Sequence, residues 1–379
     1  MIVSYEKWIV KEICMKIVLS GEKKIIMSAQ GAKNNYFAWP SAKRLQDARI
    51  AVGASGFRLR HICPFGKAVM MTSEDEGESY SFPAPIIDTC LDDRDCGIAT
   101  FGEGGVIVTS FNNTVNFQRK HALPEEMAHL DSISPEEEAR DLGATFKISY
   151  DGGKTFGPLY KSPITSPHGP IELRDGTVMW LGRTFSCENA RMETDAVKAY
   201  RLNTANGSMQ YLGEIENITV DGNKALSCEP YAIELDDGTI LAHIRVQYYP
   251  IKLYTLYQSK STDGGRTWTK PRRILPMSGG APAHLLKHSS GLLICTYGFR
   301  GDPMGSAPFG IRVMFSRDGG ETWSASEDIY ANDFSLDLGY PSTVELHDKS
   351  LLTVFYAHLD PDEPAVILQQ KWRMENDEI

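Results

Sequence analysis

Short apolar runs recur along the 379-residue chain, each entered through a polar turn. Glu172-Leu-Arg-Asp-Gly-Thr-Val-Met-Trp180, Glu234-Leu-Asp-Asp-Gly-Thr-Ile-Leu-Ala242, Lys287-His-Ser-Ser-Gly-Leu-Leu-Ile-Cys295 and Glu345-Leu-His-Asp-Lys-Ser-Leu-Leu-Thr353 are one element four times. Each reads as a strand, a tight turn and a second, apolar strand. Arg44-Leu-Gln-Asp-Ala-Arg-Ile-Ala-Val52 is a degenerate fifth copy. Gly97-Ile-Ala-Thr100 and Gly105-Val-Ile-Val-Thr-Ser110 supply the strands of a sixth unit, at about 96–156.

A second pattern, Ser-x-Asp-x-Gly-x-Ser/Thr-aromatic, occurs at 73–80, 149–156, 261–268 and 316–323. Asp bonds its own backbone and Gly accepts a positive φ, so the pattern suits a tight turn with the aromatic packed beneath it. The central residues Asp75, Asp151, Asp263 and Asp318 are 76, 112 and 55 positions apart. The middle gap is about two units, so one unit has lost its box near 203–209. The first gap holds one unit plus an insertion at about 115–141, polar and Glu-rich, with a helix start at Ser134-Pro135. It reads as a surface loop with a short helix.

Six units of about 55 residues with some four strands each predict an all-β fold, a six-bladed β-propeller, because one sheet per unit buries both faces only by radial stacking. The strand at about 16–28 should pair near 365–372 to close the ring. Length alone suggests two or three domains. The repeat replaces that with one domain over 1–379, carrying one short helical insertion.

Composition narrows the class. Hydrophobic residues make up 42%, enough for a large core. The net charge of −10 argues against nucleic acid, whose binders carry basic stripes. The 7 Cys are odd in number and lack C-x-x-C, so they read as buried thiols and not as a disulfide framework or zinc ribbon. Charged residues break every apolar run near the N-terminus, which gives neither a signal-peptide core nor a membrane span. Met15 is a candidate start, and a cytoplasmic location is expected. His121 and His129 read as ordinary surface residues, and Gly102-Glu-Gly-Gly105 lacks the spacing of a nucleotide fingerprint, so no metal or cofactor is expected.

The inner strands open on different residues, several before a proline: Trp39-Pro40, Glu229-Pro230, Ala281-Pro282 and Tyr340-Pro341, with the third unit's equivalent near Pro167-His168. A copied scaffold that varies at one place points to a central funnel to which each blade adds a different side chain. Arg183 and Arg245 end apolar second strands, and Arg312 begins a third strand. Arg there needs an anion or a carboxylate, so these residues suggest recognition of a carboxylate. Arg60 and His61 lie in a dense polar stretch of the first unit, where neighbouring cations should keep His61 neutral. Arg94 and Asp95 belong to an acidic network opening the second.

The four boxes resemble the Asp-box (BNR) repeats of the sialidase (neuraminidase) superfamily, over nearly the whole chain. That resemblance implies a six-bladed propeller, a Tyr nucleophile activated by a Glu, an Asp acid/base and three Arg holding a sugar carboxylate. Leu338-Gly-Tyr340-Pro-Ser342 looks like the nucleophile segment. Ser227-Cys-Glu229-Pro followed by Arg245 looks like the segment with the Glu and one Arg, and Arg312 looks like another. Two features depart from the pattern. Phe37-Ala38-Trp39-Pro40 stands where the family has Phe-Arg-Ile-Pro, and the loop 60–67 has no Asp. His61 and Asp95 are the candidates for the acid, and Trp39 suits stacking on a sugar face.

The expected function is an exo-acting glycoside hydrolase on an anionic sugar. Tyr340, Glu229, His61 and Asp95 would be catalytic. Arg245, Arg312, Arg60, Trp39, His168, Arg183 and Arg94 would bind a carbohydrate substrate. A lyase on a uronate-containing glycan and a non-catalytic sugar-binding propeller are the alternatives. Neither a nucleic-acid nor a membrane partner is expected.

Overall fold

The computed structural model describes residues 15–184, 196–275, 280–301 and 307–375. Cys14, Cys187 and the N-terminal residues read above for a leader lie outside them. Six four-stranded antiparallel sheets follow one another along the chain. Each packs against the next and the sixth against the first, which makes the six-bladed propeller. Four blades start on the inner strands Tyr36–Arg44, Arg94–Phe101, Leu226–Glu234 and Gly339–Glu345. The other two start on Ile171–Glu172 and Ala281–Lys287. In the last blade Lys16–Met27 pairs antiparallel with Val366–Glu375, so the two ends of the described chain share one sheet.

The core lies between blades. Leu45, Ala51 and Met70 of the first meet Ile98, Val106 and Val108 of the second. Phe146 and Ile148 of the second meet Val178 and Trp180 of the third. Burying a side chain such as Phe146 contributes about 1.5–3 kcal/mol. The turns add polar ties between neighbours. Glu172 accepts the Gly102 N–H of the preceding blade, Glu234 that of Arg174 and Glu345 that of Ser289. The recurring Glu of the strand–turn–strand repeat is therefore a latch on the turn of the preceding blade.

All four boxes close in the same way. The Ser hydroxyl donates to the Asp carboxylate and accepts the Gly N–H, while the Asp accepts the N–H and hydroxyl of the Ser or Thr, as at Asp263. The boxes join third to fourth strands, and a tight turn at 203–208 takes that place in the third blade, where a lost box was expected. The segment 115–141 is more helical than expected. It holds three helices, α1 (Val115–Arg119), α2 (Pro124–Ser132) and α3 (Pro135–Asp141). α3 starts on a capping box in which Ser134 and Glu137 bond each other's backbone N–H. Among the described residues no helix is long and apolar enough to cross a membrane.

Candidate active site

The first turn of the inner strands is irregular in the same way in several blades. Register shifts interrupt pairing between Ala38 and Ser41, Arg94 and Gly97, Cys228 and Tyr231, and Gly339 and Ser342. Inside these bulges sit Trp39, Asp95, Glu229 and Tyr340, with φ of 55°, 55°, 49° and 52°. A left-handed non-glycine residue costs about 1–2 kcal/mol, and a bulge re-aims its side chain. Here all four are turned into one cavity of about 510 Å³. In the third blade the left-handed position falls on Gly169, φ 77°, before Pro170. The proline pattern thus marked the right place one residue early, at His168.

Tyr340 donates its hydroxyl proton to Glu229 Oε1 at 2.6 Å, and Arg245 Nη1 meets Glu229 Oε2 at 2.6 Å. Burial works to raise the Glu229 carboxyl. The charge of Arg245 and the bonds from Tyr340 and Arg245 outweigh it and hold Glu229 below the usual carboxylate range. Burial, then the charge of Glu229, pushes the Tyr340 hydroxyl well above its ordinary value. The resting pair is therefore a neutral phenol bonded to a carboxylate that can accept its proton. Burial and the charge of Glu229 push Asp95 up to about 7, so near neutrality it can hold a proton to give. Two carboxyls in one cavity are thus driven apart, Glu229 held low and Asp95 raised.

Arg94, Arg183 and Arg245 line the cavity as expected, and Arg300, just beyond the strand Leu293–Phe299, joins them. Arg300 is not among the sequence candidates, although it follows an apolar second strand, as Arg183 ends one and Arg245 lies toward the end of another. Its buried Nε has no hydrogen-bond partner among the described residues. Arg312 is not in the cavity. It lies on Phe309–Ser316, bonds Asp328 at 2.7 Å and stacks over Phe299. An Arg beside an Asp box matches the family's order, but Arg312 lies on the third strand of its blade, two strands out from the inner one, where Asp328 pairs it.

Three further expectations are corrected. Arg60 is tied to Glu126 and to the carbonyl of His121, so it clamps the helical insertion to the first blade and does not line the cavity. Through that clamp Phe117 and His121 of the insertion form part of the cavity wall. His168 is 1% exposed, bonds Ser41 at 2.9 Å and packs against Tyr231 and His284 in the core of the ring. Trp39 lines the cavity but is 2% exposed, with the guanidinium groups of Arg58 and Arg94 4.9 and 4.3 Å from its ring centroid. It is a buttress for Arg94 and offers no open face to a sugar. Beside it His61 lines the cavity, edge-on to the indole at 5.0 Å.

A six-bladed ring with Asp boxes on one side and a hydrogen-bonded Tyr–Glu–Arg chain on bulged inner strands is a BNR-repeat propeller. The family model for the BNR repeat-like domain matches residues 128–348, and the chain belongs to that family. No curated protein matches it. Among solved structures it is similar to a protein of unknown function from Dyadobacter fermentans, with a TM-score of 0.74 at 19% identity over 95% of this chain and 99% of that one. The NanB sialidase of Streptococcus pneumoniae has a TM-score of 0.64 at 12% identity, over 95% and 71%. A Penicillium chrysogenum α-L-arabinanase complexed with arabinobiose has 0.60 at 11%, over 93% and 98%. At these identities the likeness is one of fold.

Proposed function

We propose that the chain is an exo-acting, retaining glycoside hydrolase on a sugar that carries a carboxylate. The hydrogen-bonded chain Tyr340–Glu229–Arg245, with Asp95 in the same cavity, carries this reading. Arg183, Arg245 and Arg300 bind the carboxylate. Tyr340 Oη attacks the anomeric carbon and passes its proton to Glu229. Asp95 protonates the glycosidic oxygen as that bond breaks, leaving a glycosyl–tyrosine. Water then attacks the same carbon, gives a proton to Asp95, and Tyr340 leaves, regaining its proton from Glu229. A neutral nucleophile suits an anionic substrate, because two negative charges need not approach each other. The cavity is walled on one side by the helical insertion, which favours a chain end over an internal sugar.

The test is hydrolysis of aryl glycosides of N-acetylneuraminic and glucuronic acids, with a fluorinated analogue to trap the intermediate for mass spectrometry. Label on Tyr340, and losses of about 10²–10⁴-fold in kcat for Asp95→Asn, are expected. No turnover of either glycoside, or turnover unaffected by Tyr340→Phe, overturns the proposal. Formation of an unsaturated uronate would place the protein among lyases instead.

A further inference from the structure

Behind the wall that carries Tyr340, one carboxylate gathers four partners. Asp337 Oδ2 accepts from the Tyr36 hydroxyl at 2.9 Å and meets His358 Nε2 at 3.1 Å. Its Oδ1 accepts from the Tyr356 hydroxyl at 2.9 Å and meets His61 Nδ1 at 3.2 Å. Tyr36 Oη also lies 3.2 Å from His61 Nδ1, but it has one proton, and the nearer acceptor is the carboxylate. The proton between His61 and Asp337 must then sit on Nδ1. A neutral imidazole with a protonated Nδ1 has a bare lone pair on Nε2.

That nitrogen makes no hydrogen bond to the described protein, and the His61 side chain is 48% exposed where it lines the cavity. The groups that set its charge are all visible. Partial burial and the charges of Arg94 and Arg58 disfavour the imidazolium, while Asp337 favours it; the balance holds His61 below its ordinary value. His358, across Asp337, is raised, first by its bond to that carboxylate. Around a cavity whose wall is otherwise rich in guanidinium donors, His61 is an acceptor.

We propose that His61 Nε2 accepts a hydrogen bond from a hydroxyl or amide N–H of the bound sugar, and that Asp337 is the positioning residue that fixes its tautomer. The inference rests on the anionic-sugar reading and sharpens it. The substrate carries its carboxylate toward the arginines and a hydrogen-bond donor toward the first blade. Neither His61 nor Asp337 takes part in bond breaking, so His61 determines affinity and selectivity, while Asp95 supplies the proton.

The test combines histidine side-chain 15N NMR of the full chain with titration by N-acetylneuraminic acid and D-glucuronic acid. In the wild type the His61 signals should report a proton on Nδ1. In Asp337→Asn the new amide donates to Nδ1, the proton moves to Nε2, and affinity for the sugar that binds should fall about tenfold. His61→Leu should lose as much, and His61→Gln, whose carbonyl can accept the same bond, should recover most of it. Because His61 is half exposed, these two variants keep the test open should Asp337→Asn misfold. A proton on Nε2 in the wild type, or equal affinity in the wild type and His61→Leu, overturns the inference alone. If neither sugar binds the wild type, the anionic-sugar reading falls and this inference with it.

Discussion

The ion pair beneath Tyr340 makes a quantitative prediction. Arg245 is 8% exposed and Glu229 20%, and Arg245 Nη1 lies 2.6 Å from Glu229 Oε2. Removing one partner of such a pair strands the other charge, at a cost of about 3–5 kcal/mol. Glu229→Gln keeps the shape and can still accept from Tyr340, so it belongs at the lower end, near 3 kcal/mol. Arg245→Met strands Glu229 instead and should cost about as much. The double variant leaves neither charge behind, so its loss should fall short of the sum of the singles by about 2–3 kcal/mol. Urea unfolding of the four proteins at pH 7 measures this coupling. The same Glu229→Gln variant should lose about 10²–10⁴-fold in kcat, because Tyr340 has lost its base. Additive stability losses would refute the coupled pair. A full rate with Glu229→Gln would refute the base.

Two further predictions follow from the same cavity. Asp95 sits at about 7 instead of 3.8, so the fold holds its proton more tightly than the unfolded chain does. Its stabilising contribution is intact below 3.8 and is lost as pH rises through about 7, by at most about 4 kcal/mol. Asp93, also raised to about 7, adds a parallel slope. The readout is therefore the difference between wild type and Asp95→Asn, which should favour the variant at pH 8, while wild-type activity falls above neutrality. Equal pH profiles of stability would refute the assignment. The second concerns the arginines. Arg300→Ala should weaken binding of the charged sugar about 10-fold or more, the worth of a charged hydrogen bond, and Arg312→Ala should leave it unchanged. The reverse order in a titration would return Arg312 to the site.

The fold was legible because its signals are repeated. Strand–turn–strand units and Asp boxes need the same turn chemistry each time, and the closing strand at the N-terminus followed from counting them. The site was legible where a proline marked the bulge, at Trp39, Glu229 and Tyr340. Asp95 occupies the same left-handed position without a following proline, and it was found only through its acidic neighbours. Arg312 and Arg60 could not be placed from sequence. Whether an arginine faces the axis or a neighbouring carboxylate depends on which strand of the blade carries it and on Asp328 or Glu126. These partners lie 16 and 66 positions away, on an adjacent strand and in the helical insertion. Asp337 was invisible for the same reason, since its four partners come from 36, 61, 356 and 358.

The bulges also explain why a rigid ring suits this site. Four non-glycine residues at positive φ cost about 1–2 kcal/mol each, and none of them relaxes into an ordinary strand. Such strain persists only where the surroundings over-determine the backbone. Here each bulge is followed by a regular strand pairing, as from Tyr231 to Glu234 against Ile240 to His243. Two of those strands are latched at their far ends to the preceding blade, by Glu234 and Glu345. The repeat thus separates two tasks. Its latches, in three blades, and its boxes, in four, hold the backbone in register at one end. The first residues of the inner strands vary from blade to blade and need only be aimed. The bulge position carries Trp, Asp, Glu and Tyr in four blades, and so one scaffold brings a phenol, two carboxyls and an indole to one cavity.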